Sequence, residues 1–169
     1  MKNLITKLTV SLALVLSFGM TAQAQLAKSG KFSGTFTGAA KPLAMHMLGE
    51  APVLILVEMF GGTTNDAGSG IFHMNSFKCH FTLEVVQMPK TELEGYCTFR
   101  DADGDTVTFR ASATGFLGGP TNATNRITHG TGKYKGITGS GEYRSSPVPP
   151  FEQGTFQGRG TFSTTYKIP

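Results

Sequence analysis

Apolar and polar residues alternate from Phe77 to Ala113 in three consecutive runs, the period-two pattern of strands that bury one face. In the first run Phe77, Cys79, Phe81, Leu83 and Val85 share one side, and Lys78, His80, Thr82, Glu84 and Val86 the other. Met88-Pro89-Lys90-Thr91 reads as a turn. The pattern resumes with Leu93, Gly95, Cys97 and Phe99 set against Glu94, Tyr96, Thr98 and Arg100. After Asp101-Ala102-Asp103-Gly104, a third run buries Val107, Phe109, Ala111 and Ala113. Three antiparallel strands are therefore expected in succession, without a crossover.

The two cysteines fix the register of the first hairpin. Position 88, inside the turn, is the midpoint of Cys79 and Cys97, so they face each other on its apolar side. Opposed residues of an antiparallel pair stand roughly 4.5–5.5 Å apart at Cα, within disulfide reach. Closing a loop of this length contributes about 3 kcal/mol on the chain-entropy model. Free thiols serving a metal or redox site would want a CxxC pair or a His/Cys cluster, and the sequence has neither.

Further strands are expected at both ends. Phe32-Ser33-Gly34-Thr35-Phe36 and the stretch from Gly154 to Phe162, followed by Tyr166, each place phenylalanine and glycine on one parity. Bulky and empty positions of that kind can interdigitate where a small barrel closes. Val53 to Phe60 differs, because Leu54 and Leu56 oppose Val53, Ile55 and Val57 and leave both faces apolar. One face then needs cover from a loop, such as Met45-His46-Met47-Leu48, or from a second copy in a homo-oligomer. Loops are expected at Gly61–Asp66, at Gly118-Gly119-Pro120 with the residues after it, and at Ser145–Pro150. No stretch carries a convincing helical period. The fold expected is all-β: a single antiparallel, calycin-like barrel of about eight strands spanning residues 25–169.

The first 24 residues read as a cleaved signal peptide. Lys2 and Lys7 precede an apolar run from Leu8 to Met20, and Ala22-Gln23-Ala24 fits the cleavage pattern. The run is shorter than the roughly 18–20 residues that span a bilayer, so no membrane anchor is expected after cleavage. A periplasmic or secreted location follows, and it favours the disulfide. Two of the fifteen basic residues and none of the acidic ones precede residue 25, leaving 13 against 11 and a net charge of +2. The remaining basic residues are scattered, without the run or the aromatic interleaving of a nucleic-acid footprint. Twenty-one glycines follow residue 25, about twice the usual share, which suits turns and sharply coiled strands.

Few motifs carry chemistry. Asp101, Asp103 and Asp105 cluster like calcium ligands, but they fall where a hairpin needs a turn and lack the length and glutamate of an EF-hand. Met45-His46-Met47 and His73-Met74 hold soft ligands that would suit copper only if the two segments met. Gly130 to Gly141 has neither the spacing of a phosphate loop nor that of a nucleophile elbow. It reads as a glycine-permitted corner, with Tyr134 and Ile137 packed inward. No cofactor is expected.

The stretch Gly-Thr-Gly-Lys-Tyr-Lys-Gly-Ile-Thr-Gly-Ser-Gly-Glu-Tyr (130–143) resembles the Gly-Thr-Gly-aromatic-x-Gly element of dirigent and allene oxide cyclase barrels. With Gly95-Tyr96-Cys97 and the Asp101–Asp105 loop, it is also similar to uncharacterised secreted proteins of proteobacteria. The resemblance implies an eight-stranded barrel with a central pocket, often trimeric, in families that guide cyclisation or coupling with a few acidic and polar residues inside. Lipocalins fit less well, because Gly34-Thr35-Phe36 stands where their Gly-x-Trp would be.

The inward positions of the well-read strands hold no acid or base, and general acid–base catalysis needs one. The expectation is therefore an exported, non-catalytic barrel that binds a small apolar ligand or a protein partner. Phe77, Phe81, Phe99 and Phe109 would line the pocket, with Glu142, Tyr143 and Tyr166 as its polar candidates. A dirigent-like isomerase or cyclase is the alternative and needs a carboxylate or tyrosine inside, with Glu58 and Glu142 the nearest acids. A periplasmic copper carrier is a third reading.

Overall fold

A computed structural model describes residues 26–169, so the expected signal segment and its expected cut before Gln25 lie outside the described residues. Eight antiparallel strands follow one another: β1 (Ser29–Leu48), β2 (Ala51–Asn65), β3 (Ser76–Gln87), β4 (Lys90–Arg100), β5 (Thr106–Phe116), β6 (Thr121–Gly130), β7 (Thr138–Val148) and β8 (Phe156–Lys167). Each pairs with its sequence neighbour, and β8 returns to β1, so the sheet closes into an up-and-down barrel. Closure leaves no sheet edge along the paired lengths.

The hairpin register is the one the cysteines require. Cys79 pairs with Cys97, Phe77 with Phe99 and Leu83 with Leu93, and the two sulfurs are bonded with their α-carbons 4.0 Å apart. The turn is tighter than expected. It is confined to Met88-Pro89, and a bulge at Val86 restores the facing, so Thr91 turns inward and is buried.

The seam is built from phenylalanine set against glycine. Phe36 pairs with Gly160 and Gly34 with Phe162. A Cβ at Gly160 would lie 2.5 Å from the Phe36 ring, and one at Gly34 would lie 2.8 Å from the Phe162 ring. The same arrangement recurs around the wall, with Phe77 over Gly38 and Gly61 and Phe81 over Gly95. Each ring occupies the space that a side chain on the facing glycine would need.

Four expectations fail at element boundaries. Gly61–Asn65 continues β2 instead of looping, because Gly61 pairs with both Gly38 and Phe77. The expected loop after Pro120 becomes β6, a strand whose composition is too polar to announce itself. Of the stretch 145–150, residues up to Val148 belong to β7. Met45–Leu48 is no cover loop either: it extends β1 along β2, pairing Met45 with Ile55 and His46 with Leu54.

One end of the barrel is sealed. The loop after β2 folds inward and places Phe72, 2 % exposed, against Phe32 at 4.6 Å, Phe99 at 5.2 Å and Phe109 at 5.5 Å between ring centroids. Phe72 has φ of 60°, a left-handed conformation that costs a bulky residue about 1–3 kcal/mol. Burying the ring returns about 1.5–3 kcal/mol, and each aromatic contact adds about 0.5–1.5 kcal/mol, so the plug is favourable. Thr63 Oγ1 donates to the Phe72 carbonyl at 2.8 Å and Asn65 Nδ2 to the Ile71 carbonyl at 2.8 Å, which hold the loop in place. Tyr134 and Ile137, in and just after a short 3-10 turn at Gly132–Tyr134, pack inward at this end as the corner pattern predicts.

Gly160→Ala should lose about 1–3 kcal/mol of stability in urea unfolding, because its Cβ would also stand 2.1 Å from the Arg144 carbonyl. Gly62→Ala, whose nearest neighbour would be 3.7 Å away, should stay within about 0.5 kcal/mol of wild type. Equal losses would contradict the seam described above.

Candidate functional site

Above the Phe72 plug the interior is open, forming a cavity of about 230 Å³ that reaches the opposite end of the barrel. Its mouth lies between the turn at Leu117–Gly119, Thr91 at the start of β4, and Pro147 and Phe156 at the adjoining ends of β7 and β8. The wall is mostly Phe, Ile, Val, Leu, Ala and Gly, with the disulfide facing inward at mid-height.

Phe77, Phe81, Phe99 and Phe109 all line this cavity. Phe99 lies 5.4 Å from Phe77 and 5.3 Å from Phe109 between ring centroids, so three of the four form one cluster. The polar candidates separate. Tyr143 points inward, edge-on to Phe36 at 5.9 Å. Burial alone pushes its phenol up to about 12, so it stays neutral and serves as a hydrogen-bond donor.

Glu142, the next residue along β7, must face the other way; it is exposed on the outer surface, which corrects its assignment to the pocket. Tyr166 is inward and buried, but it belongs to the sealed end beside Phe32, at 5.9 Å, and does not line the cavity. Glu58 is outside as well. It sits 2.7 Å from Lys78 Nζ, 3.4 Å from Lys41 Nζ and 3.3 Å from His80 Nε2. Hydrogen bonding from Lys78 is the main reason its carboxyl falls to about 2, with Lys41 adding to the shift against a partial burial that opposes it.

No carboxylate, imidazole, ammonium or guanidinium stands among the described cavity-lining residues. The cavity can therefore enclose an apolar molecule and offer it hydrogen bonds, and Tyr143 is the one titratable side chain among its described lining residues.

The metal readings fare poorly. Lys133 Nζ sits 2.7 Å from Asp101 Oδ2 and also contacts Asp103, so an ammonium already occupies the place of a calcium ion. Asp101 Oδ1 accepts from the Asp103 and Asp105 amides, both at 3.0 Å, and Asp105 Oδ2 accepts from the Lys133 amide at 3.0 Å. These carboxylates tie the turn to the corner after β6. Met45-His46-Met47 and His73-Met74 flank opposite ends of β2, at opposite ends of the barrel, and do not converge.

Other cavity residues were not legible in the sequence. Asn125 and Thr164 point inward from β6 and β8. The alternation Ala123, Asn125, Ile127 was the signal for the first, hidden in a strand of otherwise polar residues. The apolar pair Ile71-Phe72 inside a glycine-rich loop was the signal for the plug.

The chain is similar to a solved structure of the pterocarpan synthase dirigent protein PsPTS1, with a TM-score of 0.50 at 12% identity, over 85% of this chain and 99% of that one. In fold the barrel is dirigent-like. A second pterocarpan synthase dirigent protein, GePTS1, aligns with a TM-score of 0.45 at 10% identity, over 84% of this chain and 93% of that one. No protein-family model matches the chain, and neither does any curated protein. The resemblance read from residues 130–143 therefore holds at the level of the fold.

The ion cluster on the wall of this dirigent-like barrel gives a pH dependence. A folded-state value below the ordinary one means that Glu58 stabilises fully above pH 4.5, and that this contribution fades as pH falls toward about 2. In urea unfolding, wild type and Glu58→Gln should differ at neutral pH, converge below pH 4.5 and meet near about 2. A pH-independent gap would contradict a role for the carboxylate charge.

Proposed function

We propose that this protein is an exported, non-catalytic barrel that takes up a small apolar molecule through the open end of its cavity. The observation that carries the reading is the cavity itself. Its volume of about 230 Å³ exceeds the ~150 Å³ of an engineered apolar cavity that stays dry and binds benzene. A wall of aromatic and aliphatic side chains with a few polar groups is the usual make-up of a ligand site. Export rests on the basic-apolar-small pattern of residues 1–24 and is in keeping with the Cys79–Cys97 bond. The outer face of β2 exposes Leu54, Leu56 and Phe60, 39–50 % open, which favours self-association through that face.

A second reading is that the barrel guides a cyclisation or coupling, as the resemblance of residues 130–143 implies. The dirigent-like fold and the inward Tyr143 favour it. The absence of a carboxylate among the described lining residues counts against it, because a neutral phenol raised to about 12 is a poor base at neutral pH. Native mass spectrometry of protein from its own host would separate the two. With the released molecule also run on chromatography, because an isomer has the same mass, recovery unchanged after incubation supports binding, and conversion to a cyclised or coupled product supports guidance.

The binding reading is tested with the fluorescent probe N-phenyl-1-naphthylamine. Ala113 lines the cavity and is buried, so Ala113→Phe should weaken probe binding about tenfold or more, a loss of roughly 1.4 kcal/mol or more. Leu56→Lys, on the outer face, should leave binding unchanged. The reverse pattern would place the probe on the outer surface and contradict the reading.

A further inference from the structure

Below the rim, polar side chains in the cavity are confined to one wall. Asn125 on β6, Tyr143 on β7 and Thr164 on β8 face inward, whereas β2 to β4 oppose them with Ile55, Val57, Phe81, Leu83 and Leu93. Asn125 pairs with Gly141, and Gly141 with Thr164, so two polar chains flank a position that has no side chain. A Cβ on Gly141 would stand 2.5 Å from Thr164 Oγ1, which places that hydroxyl over the glycine, toward β6. Tyr143 is one row nearer the mouth, paired with Ala123.

Asn125 is partly exposed into the cavity, while its Oδ1 is covered and has no hydrogen-bond partner among the described residues. Leaving such a group unpaired costs about 1–3 kcal/mol. Half a turn of the amide about Cβ–Cγ exchanges its acceptor for its donors, so the group that best completes it is one able both to donate and to accept. A hydroxyl does both. A carboxylate or an amine cation would be buried with no opposite charge, because the described lining residues carry none.

We propose that Asn125, with Thr164 beside it and Tyr143 above, forms a hydroxyl-recognition site deep in the cavity, and that the ligand is a neutral molecule with an apolar body and an alcohol at its inner end. The inference rests on the cavity-binding reading and adds to it the polarity, charge and orientation of the ligand.

Three probes share one ring system and differ at the polar end: naphthalene, 2-naphthalenemethanol and 2-naphthoate. The chain contains no tryptophan, so their own fluorescence reports binding to the mature protein. Replacing Asn125 by leucine, close to it in shape, should weaken 2-naphthalenemethanol about tenfold, the loss of one well-made hydrogen bond to a buried group. Naphthalene should keep its affinity within about twofold, and 2-naphthoate should bind wild type at least about tenfold more weakly than the alcohol.

Thr164→Val should weaken the alcohol selectively as well, and it supplies the reading if Asn125→Leu fails to fold. Equal losses for the alcohol and naphthalene would overturn the hydroxyl site while leaving cavity binding standing. Tight binding of 2-naphthoate would overturn the requirement for a neutral ligand. If none of the three binds wild type, the cavity reading and this inference fall together.

Discussion

Everything in this barrel depends on aromatic rings lying against glycine backbone. Where β8 meets β1, Phe36 covers Gly160 and Phe162 covers Gly34, and farther round the wall Phe77 covers Gly38 and Gly61. A small eight-stranded tube has room for its inward side chains and little else. Rings set against bare backbone satisfy two demands at once. The strands can coil tightly enough to close, and the axis is left unfilled.

The second demand is what leaves the cavity. A Cβ at these glycines would stand 2.5–3.0 Å from the rings, so a side chain there would force the rings to shift into the open space. Phe72 instead spends its backbone strain at one end, where three neighbouring rings hold it, and the space above stays open. Chemistry is then distributed by parity. Lys41, Glu58, Lys78 and His80 take the outer face and form an ion cluster there, leaving the interior a phenol, an amide and hydroxyls. Such a surface recognises and orients a molecule more readily than it transfers protons.

Much of the architecture was legible in residue order. The three-strand meander, the Cys79–Cys97 register and the phenylalanine–glycine seam follow from period two, and each agrees with the strand pairing. β6 escaped because one face of Thr121–Gly130 is entirely polar and its inner face carries Asn125. That inward polar residue is the local inconsistency through which binding sites tend to show themselves. Glu142 was misplaced because the parity of β7 could not be set until its start at Thr138 was known. The Phe72 plug joins elements distant in sequence, so the apolar pair Ile71-Phe72 marks a buried loop without saying which rings it meets.

The central claim is that the rings leave an enclosed, apolar and accessible space. Xenon tests it directly, because apolar cavities of this size take up the gas while packed or water-filled interiors do not. In a crystal pressurised with xenon, the account predicts a bound atom inside the barrel among Phe81, Ala111 and Tyr143. An interior without bound xenon, filled by side chains or ordered water, would contradict it.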